Sequence, residues 1–285
     1  MIPFYGDVAQ FRQAVTSVLN QDDPEFTLTV VDDCYPSSQP REWLESLDDP
    51  RVRYLRNEDN LGVNGNFRRC VELVKQPYFV VMGCDDVMLP DYLSTVRALA
   101  TQHPDAAVIA PGVEVIDDAD RPVRPLGDRM KSVLAPSRAS VLSGERLATS
   151  LYHGNWTYFP SLLWRTEVVR AVGFRTGLEV VLDLALLVDL AATGASLVYD
   201  PTVVFRYRRH RASVSSVQAV DGRRFAEENR FFADEARRCA DLGWPRAARA
   251  ARLHATSRLH HAQARLGAAV VRAVSYTHLT LPTSD

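Results

Sequence analysis

Nowhere in these 285 residues do about 18 apolar residues run together, so the sequence holds no candidate membrane-spanning helix. No secretory leader is legible either. Cysteine is scarce, with Cys34, Cys70, Cys84 and Cys239 scattered and in no paired spacing of the zinc or redox kind. They read as reduced thiols of a cytoplasmic protein. An excess of one charge is missing too: 33 basic against 35 acidic residues leave a formal net charge of -2, which argues against a nucleic-acid partner. No Gly-x-Gly-x-x-Gly follows any apolar run and no Walker loop occurs, which removes the usual backbone cradles for dinucleotides and triphosphates. There is no internal repeat. What is present, 46% hydrophobic and 24% charged residues, suits one large globular domain or two small ones.

The most informative stretch is Tyr78-Phe79-Val80-Val81-Met82-Gly83-Cys84-Asp85-Asp86, followed by Pro90 and a helical pattern. A short continuous apolar run reads as a strand buried on both faces of a parallel sheet. Open parallel sheets place ligands at the carboxyl ends of their strands, where Asp85 and Asp86 fall. Two adjacent carboxylates repel and are costly to dry out unless a cation or shared proton compensates. From the residues alone, a divalent-metal site and a solvated turn capping the next helix both remain open.

Along the chain, strands are expected at 26–31, 51–55, 78–82 and 106–110, alternating with helices that Asp7 caps or Phe67, Cys70, Val71 and Val74 stripe. Pro3-Phe4-Tyr5-Gly6 reads as a loop after the tail of a shortened first strand. That alternation is the signature of an α/β fold with a parallel sheet and crossover helices. From Pro111 to Arg138 the pattern weakens into an irregular excursion rich in proline and carrying Asp117, Asp118 and Asp120, read as a surface connector or a loop over a site. Beyond it, helices are expected at 145–152, 166–172 and 182–192, and strands at 161–164, 196–199 and 203–207. Residues 221–273 read as helical with a break at Gly243-Trp244-Pro245. The domain plan is a donor-binding half (1–110), a second half of the same domain (111–215) and a helical extension (216–273). Residues 274–285 change character abruptly and read as a non-native, adapter-derived tail, with the natural C-terminus expected elsewhere.

Polar groups therefore close three strand ends, at Pro3-Phe4-Tyr5, Asp32-Asp33 and Asp85-Asp86, and neighbouring ends of a parallel sheet should form one crevice. A nucleoside diphosphate would suit it. Ile2-Pro3-Phe4-Tyr5, Val30-Val31-Asp32-Asp33, Asn60-Leu61-Gly62, Asp85-Asp86 with Pro90-Asp91-Tyr92-Leu93, Gly173-Phe174 and Leu182-Asp183 occur in the order and spacing of a known family. Over roughly residues 1–215 the chain resembles the family-2 glycosyltransferases of the GT-A fold. The resemblance implies a mostly parallel Rossmann-like sheet flanked by helices and an inverting transfer from a nucleoside-diphosphate sugar to a glycan or lipid-linked acceptor. It implies Pro3, Tyr5, Asp32, Asp33, Asn60, Gly62, Asp85 and Asp86 around the donor, with Tyr5 and Asp33 flanking the base. It also implies Mn²⁺ or Mg²⁺ at Asp85 and Asp183 as the base.

The chain departs from the family where Gly83 replaces the first acid of Asp-x-Asp-Asp, where Leu182 replaces the first of an acid pair, and where Asn64 and Asn66 stand in place of an arginine. These substitutions leave a sugar-binding relative without turnover as the alternative. An aspartate-nucleophile phosphohydrolase is disfavoured, because neither acid pair has a partner two residues away. His210 is a second metal-ligand candidate, as in some relatives, against a plain surface histidine. Arg206, Arg208 and Arg209 are candidates to neutralise phosphate. Trp156 and Tyr158 are candidates to stack on an acceptor sugar, against plain core. The run Arg246, Arg249, Arg252, Arg258, Arg265 and Arg272 suggests peripheral contact with an anionic membrane, at the inner face, against a solvated helix packed by Leu253, Leu259 and Leu266.

Overall fold

A computed structural model describes residues 1–210 and 223–254; the remainder of the basic run and residues 274–285 lie outside them. The chain divides into two compact units, residues 1–148 with 156–210, and residues 149–155 with 211–285.

In the first unit, β1 (Ile2–Phe4), β2 (Leu28–Asp32) and β3 (Val52–Arg56) form a parallel sheet in the order β1-β2-β3. Their crossovers are α1 (Val8–Leu19) and α2 (Gln39–Ser46). Asp7 caps α1 by accepting from the backbone N–H groups of Ala9 and Gln10 at 2.8 and 2.9 Å. Phe11, Ala14, Val15 and Val18 give that helix its buried face. The loop expected at Pro3 begins later, because Ile2, Pro3 and Phe4 are all buried strand residues paired with Val30, Val31 and Asp32.

α3 (Gly62–Leu73) leads to β4 (Tyr78–Phe79), which starts a second sheet in the order β4-β8-β6-β9-β5. Its members are β5 (Val87–Met88), β6 (Ala106–Ile116), β8 (Leu163–Arg165) and β9 (Ser196–Arg208), with β7 (Ser140–Ser143) also paired to β9. Only β6 and β9 run parallel here; β4–β8, β6–β8, β5–β9 and β7–β9 are antiparallel, so the sheet as a whole is mixed. Residues 80–82 join the two sheets. The Met1 amino group donates to the Val80 carbonyl at 2.9 Å, and the Met82 N–H donates to the Met1 carbonyl at 3.0 Å. Pro3 has no N–H with which to continue that pairing, so it stops two bonds in.

The expected helices at 166–172 and 182–192 are α7 (Thr166–Val172) and α8 (Leu182–Ala192); α4 (Tyr92–Gln102) and α6 (Gly144–His153) also fall where periodicity placed them. The excursion after Pro111 differs from expectation. β6 runs through Pro111 to Ile116, and α5 (Leu126–Leu134) and β7 follow. The two strands expected at 196–199 and 203–207 are one, β9, with register irregularities opposite Pro111 and Gly112.

In the second unit, α9 (Arg223–Asp241) and α10 (Pro245–Leu253) are separated by the expected break. Tyr152 donates to the buried Glu235 carboxylate at 2.6 Å. Ala247, Ala248, Ala250 and Ala251 form the buried face of α10, while Leu253 is exposed, so small residues rather than leucine do the packing there.

Candidate active site

The residue order of β1, β2 and the 80–82 segment brings the three predicted strand ends together. β1 lies between the other two, and a Cβ at Gly6 would sit 3.1 Å from the Cys84 Sγ. Tyr5 leaves β1 with its side chain exposed and its ring edge-on to Tyr35, centroids 5.7 Å apart. Pro3 sits inside the sheet beneath it.

The two acids at the end of β2, Asp32 and Asp33, are buried and do different work. Asp32 accepts from the Tyr35 N–H at 2.6 Å and the Tyr54 hydroxyl at 2.5 Å, with Arg56 at 3.3 Å. Burial, then this carboxylate, pushes the Tyr54 hydroxyl up to about 12. Asp33 Oδ1 accepts from the Leu61 N–H and from Asn57 Nδ2, both at 2.8 Å. Asn60 accepts from the Gly62 N–H at 3.0 Å, which shapes the turn into α3. Asn66, the residue that stands near the missing arginine, is buried and donates to the Val31 carbonyl at 2.9 Å. Asn64 donates to the Glu179 carbonyl at 2.8 Å and so ties the start of α3 to the segment that leads into α8.

At the third strand end Asp86 is buried and Asp85 partly exposed. Asp86 Oδ1 accepts from the Arg208 N–H at 2.9 Å, while its Oδ2 is buried without a hydrogen-bond partner. Burial first, and then the charge of Asp85, hold the Asp86 carboxyl above the ordinary carboxylate range. Asp85 Oδ2 lies 2.7 Å from His210 Nε2, and His210 Nδ1 lies 2.5 Å from Asp118 Oδ1. The hydrogen bond to Asp85, and with it that to Asp118, raises His210 to about 8. His210 is thus placed with Asp85 as the sequence suggested; Asp118, in the supposed surface connector, was not anticipated. Its partner is 92 residues away, so no local pattern signals it.

A folded-state value above the histidine reference means that the stabilisation by these contacts is complete below about pH 6.5 and is lost as pH rises through about 8. In metal-free buffer the melting-temperature gap between wild type and His210→Gln should therefore be wide at pH 6 and close to zero at pH 9. An equal gap at both would show that the protonated imidazole contributes nothing.

The three arginines expected near phosphate are already engaged. Arg206 bridges Glu114 at 3.0 Å, and Arg209 bridges the buried Asp128 at 2.6 Å. Arg208 is 2% exposed, and its guanidinium donates to the carbonyls of Asp85 and Asp117, to Gln13 and to Asp120. Of the two aromatic candidates, Trp156 is core, edge-on to Tyr199 at 5.3 Å. Tyr158 is half-buried and donates to Asp128 at 3.0 Å. Asp183 is the second residue of α8, where eight of the eleven residues are buried; it is itself half-buried and accepts from the Leu184 N–H at 2.7 Å.

The profile of Glycosyl transferase family 2 matches residues 1–165, more than half of the chain. The chain belongs to that family. Relatives of this family 2 chain include the succinoglycan biosynthesis protein ExoO of Rhizobium meliloti, 23% identical over 78% of this chain and 63% of that protein. Another is the putative colanic acid biosynthesis glycosyl transferase WcaA of Escherichia coli, 32% identical over 30% of this chain and 31% of that one. Among solved structures, Staphylococcus aureus TarS residues 1–349 in complex with UDP-GlcNAc superposes with a TM-score of 0.63 at 15% identity, covering 81% of this chain and 64% of TarS. The chain thus spans less than two thirds of the length of each of these three proteins. The GT-A architecture of the family 2 chain is the fold expected from its motifs.

The family's cation can be tested against the residues present. Among the described residues no group of three or more His, Cys, Asp and Glu side chains is gathered for a metal. Asp85 Oδ2 and His210 Nε2 nevertheless lie 2.7 Å apart, and one or two carboxylates with substrate phosphates suffice for Mg²⁺. Gly83 fits this arrangement. A Cβ there would fall 2.5 Å from Asp86 Oδ2 and 2.8 Å from Asp85 Oδ1, so both carboxylates occupy space that the glycine leaves. The residues fit a cation that relies on the diphosphate for its remaining ligands.

Proposed function

We propose that this chain is an inverting glycosyltransferase that moves a sugar from a nucleoside-diphosphate sugar to an acceptor hydroxyl, in the synthesis of a cell-surface polysaccharide or glycoconjugate. The observation that carries this reading is the Asp85–Asp86–His210 group at the end of the segment that joins the two sheets, beside the Tyr5 and Asp33 strand ends. Tyr5 offers its exposed ring to the base, and Asp33 holds the 57–61 loop around it. A bound Mn²⁺ or Mg²⁺ would neutralise charge on the departing diphosphate. Asp85, with His210, would hold it, and Asp86 supplies a second acid oxygen. Asp183 takes the proton of the attacking hydroxyl. The UDP-GlcNAc found with TarS favours a uracil donor, and the names of the two biosynthetic relatives favour a glycan acceptor. We place the protein in the cytoplasm, with the exposed arginines of α10, Arg246, Arg249 and Arg252, toward an anionic membrane face.

Calorimetry with UDP, GDP and dTDP in the presence of Mn²⁺, followed by nucleotide release from the matching sugar donors, tests this. UDP is expected to bind tightest and its sugars to turn over. Binding without release from any donor would instead establish the sugar-binding, non-catalytic alternative. Gly83→Asp, which restores the family's usual acid, is expected to weaken Mn²⁺–UDP binding at least tenfold, about 1.4 kcal/mol, because the new side chain meets the Asp85 and Asp86 carboxylates. Tighter binding would mean that Gly83 marks a lost ligand rather than needed space.

A further inference from the structure

His210 touches two acids, and the donor site described above uses only one of them. The second, Asp118, sits in the turn of residues 117–120 that follows β6. The two acids that flank Asp118 in this turn, Asp117 and Asp120, are anchored elsewhere. Asp117 Oδ1 accepts from the Ala119 and Arg121 N–H groups at 2.9 and 3.0 Å. Asp120, in the left-handed region at φ 60°, accepts from Arg208 at 2.6 Å and from Gln13 at 3.2 Å. Arg208 also donates to the Asp117 carbonyl at 2.9 Å. The Arg209 N–H, one residue before His210, donates to the Ile116 carbonyl at 2.9 Å. The turn and the histidine are therefore fixed to each other by backbone and by a buried guanidinium, and Asp118 itself has its hydrogen bond on the ring.

Imidazole presents a lone pair at only one nitrogen when neutral, and the hydrogen bond made at the other decides which. Both nitrogens face carboxylates, Nδ1 on Asp118 and Nε2 2.7 Å from Asp85; a cation taken up at Asp85 would replace the Nε2 proton, leaving Nδ1–H on Asp118 and the lone pair at Nε2. We propose that Asp118 is a positioning residue for His210, fixing Nδ1 as the protonated nitrogen so that Nε2 and Asp85 are presented together to a divalent cation. This inference rests on the donor-site reading above and adds to it an acid outside the strand-end motifs.

The test is Mn²⁺ affinity in the presence of UDP, followed by electron paramagnetic resonance, for wild type, Asp118→Ala, Asp118→Asn, His210→Ala and the Asp118→Ala/His210→Ala double variant. Loss of a carboxylate that orients a metal-ligating histidine typically costs 10–100-fold in metal affinity, and Asp118→Ala is expected to fall in that range. Asp118→Asn, whose amide oxygen still accepts from Nδ1–H, should recover part of it. The double variant should bind no more weakly than His210→Ala, since Asp118 acts through the ring. An unchanged affinity for Asp118→Ala, or losses that add in the double variant, would overturn the proposal while leaving the donor site standing. A wild-type protein that takes up no Mn²⁺ with UDP would overturn both.

Discussion

Asp183→Asn is expected to lower sugar transfer by about 10³-fold while leaving nucleotide affinity within twofold of wild type, because it removes the proposed base but keeps the shape. The argument begins in the composition of α8. Leu182, Leu184, Ala185, Leu186, Leu187, Val188, Leu190 and Ala191 are buried. Of its two acids, Asp189 is bound to Arg175, with contacts of 2.6 and 2.8 Å. Asp183 is held differently. It sits in the first turn, half-buried, and accepts from the Leu184 N–H at 2.7 Å. A first-turn aspartate is also stabilised by the helix dipole, so the competing expectation is a purely structural acid. The two predict different outcomes. A structural role would lower the melting temperature and change turnover by less than threefold. A base would change turnover and leave the melting temperature alone. Donor turnover and thermal unfolding measured on the same preparation separate them.

Much of the fold was legible because the signals were local. α7 and α8 occupy the residues that helical spacing and a continuous apolar run assigned to them, and Asp7 caps α1 from the position its side-chain type favours. The excursion after Pro111 was misread for equally local reasons. Proline and glycine in succession signal a break, yet Pro111 and Gly112 lie within β6. The strand continues because β9 approaches so closely that a Cβ at Gly112 would meet the Pro201 carbonyl oxygen at 2.4 Å. The glycine there permits contact between strands, a property of the pair and invisible in one of them. α5 was hidden by Pro122, Pro125 and Pro136 around it, although a proline at Pro125 is well placed to precede a helix.

The candidate site divides along the same line. Asp33, Asp85 and Asp86 were singled out because each closes an apolar run, and His210 by resemblance to relatives with a histidine in this region. Their roles were less legible than their places. Asp32 was expected around the donor beside Asp33, but its oxygens hold Tyr35, Tyr54 and Arg56 inside the protein. The arginines looked like phosphate ligands and instead hold Glu114, Asp120 and Asp128. Sequence shows which groups carry charge; the partner that satisfies the charge is set by distant parts of the chain. Gly83 makes the same point in reverse. In sequence it is a missing acid, and in the structure it is the space two acids occupy.

Arg208→Met should cost about 3 kcal/mol of stability, a fall of roughly 6–12 °C in melting temperature, although the residue lies in a run that reads as a basic surface. Its guanidinium makes four hydrogen bonds of 2.6–2.9 Å to three separate parts of the chain: the Asp85 carbonyl, the turn at Asp117 and Asp120, and Gln13 of α1. Methionine fills the volume but donates nothing, so two part-buried carbonyl groups lose their partner, and each such loss costs about 1–3 kcal/mol at most. The ion pair adds less, because Asp120 is half-exposed and water replaces the guanidinium there. The Arg208 backbone N–H still reaches Asp86, so that buried carboxylate keeps its anchor. The 117–120 turn does not keep its own. Mn²⁺–UDP affinity should therefore fall in Arg208→Met along with stability, since the turn that carries Asp118 and the Asp85 carbonyl both lose their hold. A melting temperature within 2 °C of wild type, paired with a large loss of nucleotide affinity, would instead restore Arg208 to the phosphate-binding role that its sequence neighbourhood suggests.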